Sequence, residues 1–351
     1  MKFNLYTIQL KEKDSISDIA IDLGIDLKIL IEYHNASSQP HEWIRKDLTV
    51  APWVKELIIP DTAENLRNLK KQRESPNIVN LVHKELETRY TILQKIDMKV
   101  SGSSMIDSET EIVWEFKKSR KKDFFNGNVK QTSHKIKYIK SMYRQLTEYM
   151  QRFNKPIENL VVELTPQGSV KTISNQSEIE SEWKNLRKEL QSEMGDTLEE
   201  KNMLEGGDKD FSDTLPLIKN NILYNLFFNE VFQEYNNVGE FVQLGQQKYN
   251  SQIFNNEKVN ITIKRKIEKE GNIAKLKFYS ESQSDKNEHL RELYNTKLRE
   301  FLKEDYGYLL TWSLEYHYDI EKGKMLFCHS KIKEQASNSY SHLMEHIINP
   351  T

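Results

Sequence analysis

The chain holds a single cysteine, Cys328, among 351 residues, so an internal disulfide is impossible. A lone thiol between Phe327 and His329 suits a reducing compartment. Charge of one sign is also lacking. Lys and Arg total 51 against 53 Asp and Glu, a formal net charge of −2, which leaves no global field to draw nucleic acid or anionic lipid. Long hydrophobic runs are missing too: apolar stretches such as Ile222 to Phe228 fall far short of the roughly 20 residues that span a bilayer. The start, from Met1 to Lys13, alternates apolar and polar residues where an export signal needs an unbroken apolar run. The expected location is cytoplasmic, with a specialised secretion machine as the route by which such a chain would leave. No G-x-S-x-G elbow, phosphate-binding P-loop or dinucleotide fingerprint occurs.

What is present is core-forming material in quantity. Hydrophobic residues make up 37%, with 14 Phe, 16 Tyr and 5 Trp, enough for two or three folded domains beneath a very polar surface. Residues 5 to 10 alternate as a short strand. Asp14 or Ser15 can cap a helix carrying Ile16, Ile19, Ala20 and Leu23, and Gly24 ends it. Asp26 caps a second helix with Leu27, Leu30, Ile31 and His34, and Leu48-Thr49-Val50 supplies a closing strand before Pro52, with Leu57-Ile58-Ile59-Pro60 as the alternative ending.

This order, with Tyr6-Thr7-Ile8, Lys13-Asp14-Ser15-Ile16, Asp18-Ile19-Ala20, Gly24-Ile25, Leu30 and Asn35, resembles a LysM domain over about residues 4 to 52. The resemblance implies a small βααβ module that grips N-acetylglucosamine polymers or, in contractile phage tails and injection systems, docks protein. Its groove would involve Lys13, Asp14, Ser15 and Ile16 from the first loop and Asn35, Ala36 and Ser37 from the second. Two departures stand out. Lys13 replaces the family's glycine, and the second loop is enlarged by Gln39, Pro40, His41 and Trp43.

The expected fold class is α+β, a LysM-like domain at 1–60 followed by a duplicated ββαββ body. Residues 61–89 read as a helical linker broken at Ser75-Pro76. The first unit, 90–195, has strands at Tyr90 to Val100, Thr110 to Phe116 and Leu160 to Leu164, a return strand Ser169 to Ile173, and helices carrying Ile136 to Met150 and Ile179 to Leu190. An acidic, Gly-containing stretch at 196–216 reads as a mobile loop. The remainder, 217–351, reads as a helix from Leu217 to Tyr235, strands Val259 to Ile267 and Ile273 to Tyr279, a helix through Leu290 to Leu302, strands Leu310 to Ile320 and Met325 to Cys328, and a final helix.

Several constellations invite chemistry. His342-Leu343-Met344-Glu345-His346 matches the H-x-x-E-H zinc pattern of inverzincins, but only five residues follow, too few for the distant acidic ligand, so a surface helical pair is expected. Lys117 to Lys122 with Phe124-Phe125 could grip nucleic acid, yet such runs are usually solvated hairpin ends. Nothing places any two carboxylates of Glu199-Glu200 or Asp208 to Asp213 across a cleft. The strand face Trp312, Leu314, Tyr316, Tyr318 reads as core rather than a sugar platform. The expectation is a binding or adaptor protein rather than an enzyme, with no cofactor and no metal. Its partner is expected to be protein, with an N-acetylglucosamine glycan as the alternative, and neither nucleic acid nor membrane is expected.

Overall fold

A computed structural model describes residues 6–10, 14–60, 78–122, 124–193, 195, 197–254, 257–283 and 288–351. The chain forms two compact units, residues 1–77 and 78–351. It is a mixed α+β protein.

In the first unit, strand β1 (Tyr6–Gln9) precedes helix α1 (Ile16–Leu23) and helix α2 (Leu27–Ser37). Both helices start where short polar side chains can accept from orphan N–H groups: Ser15 from Asp18, and Asp26 from Lys28 and Ile29. Gly24 ends α1 at φ +67°, in the left-handed region that glycine reaches without penalty. The closing strand β2 is Glu56–Ile59, antiparallel to β1 with Tyr6 opposite Ile59. The alternative ending is therefore the one used, and Leu48-Thr49-Val50 is not a strand. Leu48 has φ +61°, the Arg45 N–H donates to the Thr49 carbonyl, and the Asp47 carboxylate accepts from Thr49, which together make a turn. Ile16, Ala20, Leu23, Leu30, Ile44, Leu57 and Ile59 form this unit's own core.

The second unit opens with β3 (Val79–Asn80), so the described part of the expected helical linker is not helical. Strands β4 (Leu86–Val100), β5 (Ser103–Lys121) and β6 (Phe124–Ile139) follow, then α3 (Ser141–Gln151), β7 (Asn159–Leu164), β8 (Val170–Ile173) and α4 (Gln176–Glu193). Two strands were expected ahead of α3, and three, β4 to β6, follow the short β3. Residues up to Ile139, placed in a helix by their spacing, pair along β5 instead.

Where a mobile loop was expected, α5 (Leu198–Ser212) and α6 (Thr214–Asn220) lie. The signal for α5 is the capping box Thr197 and Glu200, each accepting from the other's backbone. Gly207 allows the docking of α5 on α4, since a Cβ there would sit 2.3 Å from the Trp183 ring. The expected helix from Leu217 to Tyr235 is instead the end of α6, α7 (Ile222–Phe227) and the short β9 (Glu234–Tyr235), which pairs with β3.

Strands β10 (Phe241–Asn250), β11 (Lys258–Glu270) and β12 (Ile273–Gln283) lead to α8 (Glu288–Lys297) and α9 (Arg299–Leu302). Next come β13 (Leu309–Asp319), β14 (Lys324–Gln335) and β15 (Ser341–Pro350). The expected final helix is thus a strand. Eleven of the described strands form one sheet in the order β10-β11-β12-β13-β14-β15-β4-β5-β6-β7-β8, antiparallel throughout. The strands from both halves of the body meet where β15 pairs with β4.

One face of the sheet is core. Ile92, Trp114, Phe116, Leu160, Val162, Leu276, Leu314, Tyr316 and Tyr318 pack with Trp183, Leu186 and Phe227 from the helices. A second cluster gathers Val259, Ile261, Ile263 and Leu310 with Leu290 and Tyr294 of α8. The Trp312 to Tyr318 face is therefore core, as its spacing predicts. The opposite face carries ion pairs: Glu268 takes Lys266 at 2.7 Å and Lys277 at 2.8 Å, and those hydrogen bonds hold its carboxyl at about 2.

Candidate functional site

Three places in the molecule gather polar chemistry. The first is a concavity of the N-terminal unit, about 510 Å³, lined by Asn35, His41, Trp43, Arg45, Lys46 and Trp53 among others. It is built by the enlarged second loop, where a 3-10 turn (Pro40–Glu42) starts at the pre-organised φ of Pro40. The turn is boxed by the Glu42 carboxylate accepting from the Gln39 N–H. His34 fixes the loop to the sheet. Its Nδ1 accepts from the Ile58 N–H at 2.9 Å, which leaves the proton on Nε2, 3.2 Å from the Glu42 carbonyl. Trp43 and Trp53 stay 46% and 62% exposed, although such large rings are highly buried on average. Arg45 and Lys46 are exposed beside them.

The residues expected in the groove are placed as follows. Lys13 lies outside the described residues. Asp14 is exposed, Ser15 serves as the N-cap of α1, and Ile16 is buried in the core. Ala36 is exposed and Ser37 half-buried in the last turn of α2. Asn35, of this set, lines the concavity, and its amide is committed to the Ile44 backbone in both directions. Sequence reasoning singled out Trp43 only as loop enlargement and passed over Arg45, Lys46 and Trp53. The available signal was two of the chain's five tryptophans falling within eleven residues of a loop.

The second place is Lys118, from the basic run on β5. It is not solvated at a hairpin end: its side chain is buried, Nζ donates to the Gly323 carbonyl at 3.4 Å and lies 4.0 Å from the Phe232 ring centroid. Burial lowers its pKa to about 7. His83, stacked between Phe125 and Phe232, is pushed down to about 4, first by burial and then by the Lys118 charge. The adjoining void, about 10 Å³, is too small for a substrate, so this pair reads as core chemistry rather than a reaction centre.

The third place includes the H-x-x-E-H residues. They lie on β15, not on a helix, so His342 and His346 share one sheet face while Glu345 projects from the other and bonds His329 at 2.8 Å. Four residues along a strand separate the two histidines by roughly 13 Å. One metal ion cannot take both, and no metal-binding group of three ligands occurs among the described residues. His346 instead faces a cavity of about 510 Å³ between the sheet and α3. Cys328 is buried, with its thiol pushed well above the usual range by desolvation, and His329 points away on the opposite face.

No family model matches the chain, and no curated protein matches it.

Among the described residues no helix is long and apolar enough to cross a membrane.

Proposed function

We propose that the chain is a non-catalytic docking or adaptor protein whose N-terminal unit is a LysM-like module and whose partner is a protein segment. The order β1, α1, α2, β2, with the two strands antiparallel and a core of its own, supports the LysM-like reading. The body reads as a duplicated α+β unit, since strands, helix and strands recur on either side of the β15–β4 pairing. Assemblies of the contractile injection or phage-tail kind are the setting in which a LysM-like module serves this purpose.

The observation that carries the docking reading is the loop face with Trp43, Trp53, Arg45 and Lys46. Exposed indoles beside Arg are the side chains that dominate protein interfaces. The cations favour a partner strand or helix bearing aspartate and glutamate beside aliphatic anchors. The second reading, an N-acetylglucosamine polymer, is favoured by the same two indoles, whose flat faces suit pyranose rings. It gains nothing from the cations, and Asn35 offers it no free amide.

The test is peptide display on the immobilised full chain, with counter-selection on the combined Trp43→Ala and Arg45→Glu variant. Acidic peptides with aliphatic anchors are expected to enrich. Enrichment of neutral or basic sequences, or Trp43-dependent retention of the chain on purified peptidoglycan that chitin oligomers compete away, would overturn the docking reading.

A further inference from the structure

The cavity between α3 and the sheet has a composition of its own. Its size, about 510 Å³, falls within the range of small-molecule sites, roughly 300 to 1,000 Å³. The floor comes from the core face of β4, β5 and β15, with Ile96, Ile112 and Met344 supplying apolar surface. Around this floor stand seven carboxamides, from Gln94 and Gln131 on the sheet to Gln151, Asn154 and Gln252 at the rim, together with the hydroxyls of Thr110 and Thr147. Glu158 is the one carboxylate in the lining, and no lysine or arginine belongs to it among the described residues. A phosphate or carboxylate ligand would find no counter-charge there.

Some of the amides are spoken for. Asn221 caps α7 by accepting from Leu223 and Tyr224, and Gln151 Nε2 lies 3.3 Å from His134 Nε2. Gln94, Asn154 and Thr110 make no side-chain hydrogen bond within the protein among the described residues. The decisive group is His346, 2% exposed, lining the cavity with its Nδ1 buried and without a protein partner. A buried polar atom without a partner is costly, and native proteins keep few of them. Desolvation lowers the His346 pKa to about 4 and shifts His134 in the same direction, so both rings are neutral near pH 7.

A carboxamide offers donors and an acceptor together, and a neutral imidazole offers one of each. That is the complement of neighbouring hydroxyl groups on a ring with an apolar face. Trp114 is not a stacking platform here, because its own ring is 2% exposed and stacked on Tyr224 at 5.0 Å. We propose that this cavity is a binding site for a neutral, polyhydroxylated ligand of one or two sugar rings, held by Gln94, Thr110, Gln151, Asn154 and His346. It is independent of the docking face on the N-terminal unit.

The probes are glucose, maltose, N-acetylglucosamine and its β-1,4 disaccharide, with inorganic phosphate as the anionic control, titrated into the full chain by calorimetry and saturation-transfer NMR. At least one of these saccharides is expected to bind saturably. Thr147→Trp, which narrows the mouth from the half-exposed surface of α3, and His346→Leu, which removes the imidazole, should each weaken it by about tenfold or more. A variant combining Trp43→Ala and Trp53→Ala, altered only on the other unit, should bind the same saccharide with unchanged affinity. The proposal is overturned if no saccharide of the set binds. It is equally overturned if Thr147→Trp leaves binding intact, if phosphate displaces the sugar, or if the tryptophan variant rather than Thr147→Trp abolishes binding.

Discussion

Asn35 and Ile44 are joined in both directions: Asn35 Nδ2 donates to the Ile44 carbonyl at 3.1 Å, and the Ile44 N–H donates to Asn35 Oδ1 at 2.8 Å. A residue expected to meet a ligand is thus the clasp that holds the enlarged loop against α2. The loop in turn presents Trp43, Arg45, Lys46 and Trp53. Apart from Asn35, the side chains lining this concavity are thus not the ones that the family resemblance implies.

Asn35→Ala should therefore behave as a stability variant. Losing one half-buried carboxamide and leaving a backbone N–H and carbonyl without partners should cost about 1 to 3 kcal/mol in the N-terminal unit. Asn35→Asp, which keeps the acceptor for Ile44, should cost less. Denaturant unfolding followed by hydrogen exchange of residues 14–60 checks this. Full stability in Asn35→Ala would mean the clasp is not holding the loop.

Lys118→Met should stabilise the second unit at neutral pH. With the folded pKa near 7 and the ordinary value 10.5, the buried charge costs up to roughly 5 kcal/mol. The Phe232 ring and the Gly323 carbonyl offset part of that, so a gain of about 2 kcal/mol is expected. The sign follows from proton binding. Below pH 7 both states hold the proton and the penalty is complete; as pH rises from 7 towards 10.5 the folded state sheds it first and the penalty fades. The gain of the variant should accordingly be largest below pH 7 and vanish by about pH 10.5. The His83 pKa should rise in the same variant, readable by NMR.

The sheet of this unit was legible in outline and its attachments were not. Period-2 stretches with clear turns, such as Val259 to Tyr279 about Gly271, read correctly because alternation and a left-handed glycine speak together. Residues 136–139 and 341–350 failed for a common reason. Their apolar residues fit both periods, and only the neighbouring strand decides between them. The capping box at Thr197 was in plain sight but lost beneath acidic composition. The exposed face of Trp43 and Trp53 escaped because exposure of a tryptophan depends on loop packing that no local pattern encodes.

His346 makes the fold sensitive to acid. Its folded pKa of about 4 lies below the usual 6.5, so the unfolded chain takes the proton first as pH falls. Stability is intact above pH 6.5 and declines by roughly 3 kcal/mol between 6.5 and 4 from this ring alone, before levelling off. His346→Leu should remove that portion of the decline. Thermal unfolding across this range, in the variant and the parent chain, measures it; parallel curves would contradict the assignment.

Glu334 is a buried carboxylate with no cationic partner among the described residues. It accepts from Tyr308 Oη at 2.7 Å, from the Gln252 N–H at 2.8 Å and from the Ser251 hydroxyl, and burial raises its pKa. Tyr249 Oη donates to it as well, at 3.5 Å, so Glu334→Ala strands four donors and should cost about 3 to 5 kcal/mol. Glu334→Gln keeps an acceptor and removes the buried charge, so it should cost markedly less. Equal losses in chemical denaturation would mean that packing, rather than hydrogen bonding, sets the role of this residue.

The most direct test of the docking account reads the indole N–H signals of Trp43 and Trp53 in the full chain by NMR. One titration uses a synthetic peptide alternating glutamate and leucine, the other N-acetylglucosamine tetramer. The account predicts that both signals move with the peptide, that the response weakens as salt is raised, and that the tetramer leaves them in place. Movement with the tetramer and none with the peptide would contradict it.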